Sequence, residues 1–551
     1  MTIPAVALFA TRARAADPSF VIDEATAPVI VEICRRLDGI PLAIELAAAR
    51  ARAIGVAEIA HRLDERFGLL KAMRRGGDPR HRTMRDAISW SYDLLEPDEQ
   101  DLFTALSVFA GSFDLASAEA MSRSDDTLDV LTRLTERSML AVRPQSGGAT
   151  RYELLETLRE YGRTRLADER AVGLFTTHAD HFAALAASIE RELKGPDEAR
   201  WVARAESSFA DLRAAQRFAL EVGALDAAFG LIGAIREFAM RAMRYEVFAW
   251  SDAACRAPGA SEHPLAPLLT GISAYGAWVR GEFDLAMSLA HESRRLEDVL
   301  GVEPSGLAER VFGNVLYTVG RAEPGNAEAR RQIELAEASG DESRLVHACY
   351  MAAVGLNSEG LTDEARLLVE RANRHAQHTR CPTDLASAAV AKAFASRAES
   401  DALDAFVTAD RIASTAGNRW ISAFARTEAS GLLVARGDVD EGCAGLAEMV
   451  ALWYRAGEWS QQWHTLARCV IALDRIDKAE LAVEVLGAIE AHATLGVAPM
   501  TSILQDVVFA ARDDLISRLG AARAEELREI GASCPVEEIV LRTRRALLGL
   551  P

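Results

Sequence analysis

A tight turn recurs at nearly constant spacing through the C-terminal two-thirds of this 551-residue chain. Successive turns are 37 to 40 residues apart, and they begin at Arg244, Gly281, Gly320, Gly360, Ser400, Gly437 and Asp474. Each interval is long enough for two antiparallel helices of about a dozen residues. A single helix pair cannot bury its own apolar face, so neighbouring pairs must stack into a superhelix with a concave surface. We therefore expect an array of helical repeats.

The composition favours a mostly α-helical fold. Half of the residues are hydrophobic and only 6% are aromatic, and Ala, Leu, Glu and Arg dominate, which is typical of packed helices. No strand pattern occurs after about residue 175, and a small residue follows most of the turns, as in tetratricopeptide repeats. We predict a tetratricopeptide-like (TPR-like) α-solenoid over residues 175–551.

Residues 80–172 predict a smaller domain of a different kind. Two helices, Thr83–Leu95 and Asp98–Ala110, are separated by a Glu-Pro pair, because the residue before a proline avoids the helical basin. After two more short helices the hydrophobic period changes to two, which indicates strands at Met139–Arg143 and Thr150–Leu154. Helices followed by one β-hairpin predict a winged-helix domain.

Net charge, cysteines and hydropathy exclude several classes of protein. The net charge is −19, and −15 of it falls on residues 171–551, so most of the chain would repel a phosphate backbone. Seven scattered cysteines form no CxxC motif, which argues against a disulfide framework or a zinc site. The pairs His178/His181 and His375/His378 have no evident third ligand, so we expect no metal site. No apolar stretch approaches the roughly 18–20 residues of a membrane span, and we expect a cytoplasmic protein.

Three blocks, in this order, resemble bacterial STAND-class (NB-ARC-like) signalling ATPases. They are Ile33–Arg50, then Arg80–Leu95 with Leu106–Phe113, then Arg151–Tyr161. These regulators, which include LuxR-type and adenylate-cyclase-associated relatives, join a nucleotide-binding domain to a helical lid, a winged helix and TPR-like repeats. The resemblance implies that this chain corresponds to the C-terminal part of such a transcriptional regulator.

The resemblance also implies a division into domains. Residues 1–25 resemble the end of the nucleotide-binding core, and residues 26–75 resemble the helical lid. The winged helix of residues 80–172 and the repeats of residues 175–551 follow. The sequence is therefore expected to begin where the nucleotide-binding core ends.

The resemblance implies a vestigial adenine contact at Gly39 and Pro41, because the proline of the family's Gly-x-Pro-Leu turn lies beside the adenine. No GxxxxGK[ST] motif, which cradles the β- and γ-phosphates, occurs in the chain. Leu155 stands where related proteins have a histidine that reads bound ADP, and a leucine cannot donate to a phosphate. We therefore expect no cofactor and no enzymatic activity. ATP or ADP would bind only if the missing core exists.

Arg80 and Arg82 are candidates for contacts to phosphate, on DNA or on a nucleotide. The alternative is a charged helix start or linker. The winged-helix pattern favours DNA only by analogy, and the acidic repeats oppose it, so specific DNA binding is not expected.

An aromatic cluster in the repeats is a candidate groove for a partner. It consists of Trp453, Tyr454, Trp459 and Trp463. The alternative is that these rings wedge helix pairs together.

The leading hypothesis is a non-catalytic regulatory scaffold in transcriptional regulation. The winged helix would relay a change of state, and the repeats would bind a protein or a small inducer, with self-association as a further expectation. The first alternative is an ATP-binding STAND ATPase regulator that is truncated or has a misplaced start. The second is a DNA-binding winged-helix regulator.

Overall fold

The computed structural model describes two compact units of the chain. The described residues are 4–16, 20–23, 26–36, 44, 47–48, 51, 55–62, 88–89, 92–93, 95–136, 139–143, 150–492 and 502–550. Within this set, unit 1 comprises residues 1–182 and 207–218, and unit 2 comprises residues 183–206 and 219–551. None of the described helices is long and apolar enough to cross a lipid bilayer.

Unit 1 starts with three described helices, α1 (Pro4–Ala16), α2 (Thr26–Arg36) and α3 (Val56–Arg62). Helix α1 packs against α2, and α2 packs against α3. Phe9 of α1 and Ile33 of α2 are fully buried, so apolar side chains at helical spacing form the contact between these helices.

The second part of unit 1 is a winged helix. Its elements are α4 (Pro97–Leu106), β1 (Phe113–Asp114), α5 (Leu115–Met121), α6 (Thr127–Glu136), β2 (Ala141–Arg143), β3 (Arg151–Glu153) and α7 (Glu156–Thr164). The sheet is antiparallel in the order β1-β3-β2, with Tyr152 of β3 opposite both Phe113 and Val142. The predicted winged helix is confirmed. Strand β1 escaped prediction because two residues are too few to show an alternating pattern.

A buried carboxyl group fixes the connection between α4 and β1. Two long helices, α8 (Asp168–Glu192) and α9 (Glu198–Glu221), follow α7 in the chain. The carboxyl group belongs to Asp211 of α9. Asp211 accepts hydrogen bonds from the backbone N–H groups of Ala110, at 2.6 Å, and Gly111, at 3.2 Å, and it lies 3.0 Å from Nε2 of His178. Because the N–H of Ala110 binds Asp211, α4 ends at Leu106 and does not continue to Ala110 as predicted.

Unit 2 is a stack of helix pairs. The helices are α10 (Leu225–Ala242), α11 (Glu246–Cys255), α12 (Ala266–Val279), α13 (Phe283–Leu300), α14 (Leu307–Thr318), α15 (Ala322–Ser339), α16 (Glu342–Ser358), α17 (Thr362–Thr379), α18 (Pro382–Phe394), α19 (Glu399–Ala416), α20 (Arg419–Arg436), α21 (Val439–Ala456), α22 (Trp459–Arg475), α23 (Ala479–His492), α24 (Ser502–Leu519), α25 (Ala521–Ser533) and α26 (Val536–Leu547). Each even-numbered helix from α10 to α22 packs against the odd-numbered helix that follows it. The predicted α-solenoid is confirmed.

The predicted turns connect the two helices of each pair. Gly281, Gly360 and Gly437 have φ values of 76°, 77° and 104°, in the left-handed region that glycine adopts without steric cost. The turn predicted at Ser400 is misplaced, because Ser400 lies in the first turn of α19. Residues 395–398 make that connection instead.

The stack of helix pairs closes on itself within unit 2. Helix α10 contacts α20, and α12 contacts α22. The Tyr245 hydroxyl, between α10 and α11, donates a hydrogen bond to Glu458 at the start of α22. An added Cβ at Gly281 would lie 3.3 Å from Cβ of Trp459. These contacts between early and late repeats narrow the concave surface expected from the sequence to an interior cavity.

Candidate functional site: an interior cavity of the repeats

The first helices of successive pairs line a cavity of about 120 Å³. Most of its wall comes from α10, α14, α16, α18 and α20, since the first helix of each stacked pair lines the concave side of such a superhelix. One buried water requires roughly 10–15 Å³. The cavity is therefore large enough to admit a small molecule.

Basic side chains outnumber acidic ones in the cavity wall. The basic residues are Lys194, Arg236, Arg241, Arg310 and Arg344, and the acidic ones are Glu237, Asp341 and Asp384. Four of the basic residues have a carboxyl partner: Lys194 with Asp341 at 2.6 Å, Arg236 with Glu190 at 2.5 Å, Arg241 with Glu198 at 2.8 Å, and Arg310 with Glu237 at 3.4 Å. These pairs balance charge in a poorly hydrated space.

The guanidinium group of Arg344 forms no ion pair with any described residue. Its Nη1 atom lies 3.5 Å from the carbonyl oxygen of Pro304, and its Nη2 atom is buried without a hydrogen-bond partner. Burial lowers the pKa of Arg344, and the more distant carboxyl groups of Glu309 and Asp341 oppose that change only in part. Arg344 is therefore a cation whose counter-ion the described residues do not supply.

A histidine lies one helical turn beyond this arginine. The Nε2 atom of His347 is buried and has no hydrogen-bond partner among the described residues. Burial places the pKa of His347 well below its usual value, and the positive charges of Arg310 and Arg241 lower it further, against the opposing effect of Glu237. His347 is therefore neutral near pH 7, and it offers one polar nitrogen to the cavity.

The carboxyl groups of the wall differ in their protonation behaviour. The pKa of Glu237 falls to about 2, because Arg310, Arg236 and other nearby cations outweigh the effect of burial. Burial raises the pKa of Asp384, whose Oδ2 accepts hydrogen bonds from Ser343 at 2.7 Å and Thr379 at 2.8 Å. The acidic groups thus have partners of their own.

A second cavity of about 80 Å³ adjoins the first. Seven aromatic side chains line it: Tyr275, Trp278, Tyr317, Tyr350, Phe394, Trp420 and Phe424. Trp420 stacks on Phe424 with ring centroids 5.4 Å apart and planes only 6° apart. Arg310 and His347 belong to the walls of both cavities. The interior of unit 2 therefore has a charged compartment and an aromatic compartment with a shared wall.

The aromatic cluster predicted as a partner groove does not line these cavities. Trp453 is fully buried and donates from Nε1 to Thr427 at 3.3 Å, and Trp463 is also buried. Only Tyr454 and Trp459 keep a partly exposed surface. A role of these four residues in binding a partner stays a prediction, and two of the rings serve as core packing.

The other predicted contacts are placed as follows. Gly39, Pro41, Arg80 and Arg82 lie outside the described residues, so their predicted roles stay predictions. The first pair of histidines binds different partners: His178 lies 3.0 Å from Asp211, and Nε2 of His181 lies 3.0 Å from Oγ of Ser117. Both histidines of the second pair face Glu342. The described residues contain no group of three potential metal ligands.

Sequence reasoning missed the residues of the cavity wall. Arg344, His347 and Tyr350 recur at intervals of three residues and so lie on one face of α16. An Arg-x-x-His-x-x-Tyr row within a repeat helix was the available signal. Its significance depends on the closure of the stack, which no local pattern shows.

The surface of the winged helix is the other functional feature. Helix α6 occupies the position of the recognition helix in DNA-binding relatives of this fold. Its exposed face presents Leu128, 49% exposed, with Asp129 and Thr132. Arg133 is bound by Asp98 and, at 3.0 Å, by Glu99. This face is therefore neutral to acidic.

Comparisons with known proteins agree with this description of unit 1. Residues 95–167 match the family model of the winged helix-turn-helix domain. A protein of Mycobacterium tuberculosis named "Putative HTH-type transcriptional regulator" is 43% identical over 241 residues, which cover 43% of this chain and 27% of that protein. An uncharacterized protein of the same species is 37% identical over 174 residues, 30% of this chain and 44% of that protein. The matched residues thus span about a quarter of the length of the first of these curated relatives and less than half of the length of the second.

A solved structure with overall similarity is a Signal Transduction ATPase with Numerous Domains (STAND) protein with a tetratricopeptide repeat sensor from Pyrococcus horikoshii. It is 12% identical in sequence, with a TM-score of 0.41 over 96% of this chain and 74% of that chain. The winged helix that the sequence predicts is confirmed by the family model, and the predicted helical repeats are confirmed by the helix pairs of unit 2. The predicted adenine contact and ATP binding stay predictions.

Proposed function

We propose that this chain is the sensor and relay part of a transcriptional regulator and has no catalytic activity. The winged-helix match and the similarity to proteins named as transcriptional regulators support a role in regulation. The cavity of unit 2 supports a sensor role for the repeats, because a pre-formed concave site with a few polar groups is typical of small-molecule binding.

The winged helix acts in this proposal as a relay surface for another protein and does not read DNA. Base reading and phosphate contacts rely on Arg and Lys side chains, but residues 115–136 contain only Arg123 and Arg133 as basic residues. Two carboxyl groups bind Arg133, and Leu128 is exposed in the first turn of α6. This neutral-to-acidic face with an exposed leucine is the single observation that carries the proposal.

The hydroxyl and imidazole groups of the cavity wall support the proposed lack of catalytic activity. Among the described hydroxyl groups of its wall, Ser343 donates to the carboxyl group of Asp384, and Thr383 donates to Glu198. The imidazole of His347 has no hydroxyl partner at Nε2. A hydroxyl nucleophile paired with an imidazole base, an arrangement that hydrolytic chemistry commonly uses, is therefore not present among these residues.

The experiment compares transcripts in the source organism after deletion of the gene and after complementation. Wild-type protein should restore the expression of a defined set of transcripts, and a Leu128→Glu variant should fail to restore it at equal protein level. The matched control is Val172→Glu, since Val172 is also exposed, at 57%, but lies on α8. Unchanged transcripts after deletion would refute a regulatory role.

A second measurement tests the relay surface directly. Selection of DNA from a random library at about 150 mM salt, a Debye length of ~8 Å, should yield no preferred sequence for the purified chain. Recovery of one sequence with nanomolar affinity, lost in Leu128→Glu, would show that α6 reads DNA and would refute the relay.

A further inference from the structure

We propose that the two adjoining cavities of unit 2 form one binding site for a small aromatic carboxylate. The carboxylate would bind Arg344 in the charged compartment, and the ring would occupy the aromatic compartment. This inference rests on the proposed sensor role and adds the chemical class of the ligand to it.

The charge requirement comes from Arg344. Every other basic side chain of the wall has a carboxyl partner within 3.4 Å, whereas Arg344 has none among the described residues. A poorly hydrated guanidinium group without a counter-ion is destabilising, and burial already lowers its pKa. A bound anion would remove that penalty. One unpaired cation calls for one negative charge.

The geometry of the guanidinium group selects a planar anion. Among the described residues, its Nη2 atom is buried without an acceptor, and its Nη1 atom has only a long contact of 3.5 Å to the carbonyl oxygen of Pro304. Two parallel N–H groups match the two oxygens of a carboxylate. A phosphate dianion would need a second cation, but the neighbouring Lys194 is already bound to Asp341 at 2.6 Å.

The shared wall supplies polar atoms between the two compartments. Nε2 of His347 and Nε of Arg310 are buried there without hydrogen-bond partners among the described residues. His347 remains neutral, so it adds a hydrogen bond without a second charge. A ligand that passes from the first cavity into the second would meet both atoms.

The aromatic compartment accommodates the ring. Trp278 and Tyr350 are 3% and 6% exposed, and Phe424 is 7% exposed, so their residual surface faces the interior. Offset stacking on such rings favours a flat apolar group. The side chains of this compartment that can carry a positive charge are Arg310, His347 and His464, and His464 is held by Glu428 at 2.6 Å. A second charge on the far end of the ligand would find no partner.

The size of the two compartments also decides between ligand classes. Their volumes, about 120 and 80 Å³, admit a small molecule and exclude a folded partner. A purely polar ligand without an aromatic ring, such as a sugar, would fit poorly, because it would leave the faces of the aromatic side chains without contacts.

The test uses the purified full chain and measures thermal stability and binding heat. The probes are benzoate, phenylacetate and indole-3-acetate, with benzamide as a neutral ring, acetate as an anion without a ring, and inorganic phosphate as the other oxyanion. At least one ring carboxylate should raise the melting temperature in a concentration-dependent way, with at least tenfold higher affinity than acetate, phosphate or benzamide.

Variants locate the site. Arg344→Gln should lower the affinity for the ring carboxylate at least tenfold, and Arg344→Lys should retain an intermediate affinity because it keeps the charge but loses the planar fork. Arg366→Gln, at an exposed position on α17, is the matched control and should leave binding unchanged. The unliganded Arg344→Gln protein should melt no lower than wild type, which separates a loss of binding from a loss of folding.

Several results would overturn the proposal. One is that benzamide or acetate binds as tightly as the ring carboxylates, or that phosphate binds more tightly. Another is that no ring carboxylate binds at about 10 mM, or that Arg344→Gln leaves the affinity unchanged. The proposed regulatory role would survive these results, because the transcript experiment with Leu128→Glu does not depend on the ligand.

Discussion

Asp211 in unit 1 and Arg344 in unit 2 are both polar groups in protected surroundings, yet they differ in their partners. Asp211 is fully buried, and three donor groups surround its carboxyl oxygens. Arg344 lines a cavity, and its Nη2 atom has no hydrogen-bond partner among the described residues. The first group completes a network within unit 1. The second group leaves a network open.

This difference distinguishes structural polar groups from groups that are available to a ligand. Leaving a buried polar group unsatisfied costs about 1–3 kcal/mol, and more for a charged group. A fully bonded group such as Asp211 therefore holds the fold and has no capacity left for a ligand. An unbonded group beside empty volume, such as Arg344, destabilises the free protein and gains most from a ligand.

The largest expected effect is on the winged helix. Asp211→Ala leaves the N–H groups of Ala110 and Gly111 and the imidazole of His178 without their partner, and it should lower the free energy of unfolding of unit 1 by about 3–5 kcal/mol. Hydrogen exchange across residues 97–164 measures this loss.

Two controls accompany this change. Asp180→Ala, at an exposed position of α8, should alter the exchange by less than about 0.5 kcal/mol. Arg344→Gln should not lower the stability of unit 2. The comparison between the two buried groups fails if Asp211→Ala is harmless or if Arg344→Gln is as damaging as Asp211→Ala.

The second largest effect is expected at Glu458, which is buried like Asp211 but pays a larger penalty for being charged. Glu458 is fully buried and accepts hydrogen bonds from Tyr245 and, at 2.7 Å, from Ser460. Burial nevertheless raises the pKa of Glu458 to about 7, from an ordinary value of 4.5, against the opposing effect of the hydrogen bonds. Between pH 4.5 and about pH 7, Glu458 is therefore protonated in the folded chain and ionised in the unfolded chain.

The sign of the pH dependence follows from this shift. Because the folded-state pKa is the higher one, the stabilising contribution is complete below pH 4.5 and is lost as pH rises to about 7. The loss amounts to about 3 kcal/mol, at 1.36 kcal/mol per pKa unit. Glu458→Gln mimics the protonated group, so it should match wild type near pH 4 and exceed its stability by up to that amount at pH 8.

Urea unfolding of unit 2 at several pH values checks this prediction. Glu364→Gln, at an exposed position of α17, is the control and should follow the wild-type profile. A Glu458→Gln protein whose stability parallels wild type from pH 5 to pH 8 would show that this carboxyl group does not titrate in the folded chain across that interval.

The sequence predicted the repeats and the winged helix because their signals are local. The period of the turns and the change of hydrophobic period at Met139–Arg143 depend only on neighbouring residues. The cavity depends on contacts between α10 and α20 and between α12 and α22. More than 170 residues of sequence separate the two helices of each of these pairs. No local pattern reports such contacts, so Arg344 was not singled out, whereas conspicuous tryptophans such as Trp453 were.

The smallest effects concern the turns that set the repeat period, and they extend the comparison from side chains to the backbone. Gly360 has φ of 77° and would have no atom within 4 Å of an added Cβ, so Gly360→Val should cost about 1–2 kcal/mol through backbone strain alone. Asp477 has φ of 58° at the equivalent turn after α22, so Asp477→Gly should relieve strain and gain at most about 1 kcal/mol, reduced by the greater freedom of glycine in the unfolded chain. In a stack of repeats the loss at Gly360 should appear first as faster hydrogen exchange in the flanking helices α16 to α19. The winged helix should exchange at the wild-type rate in both variants. Equal exchange in the Gly360→Val and wild-type proteins would mean that the left-handed turn is not what fixes the spacing of the repeats.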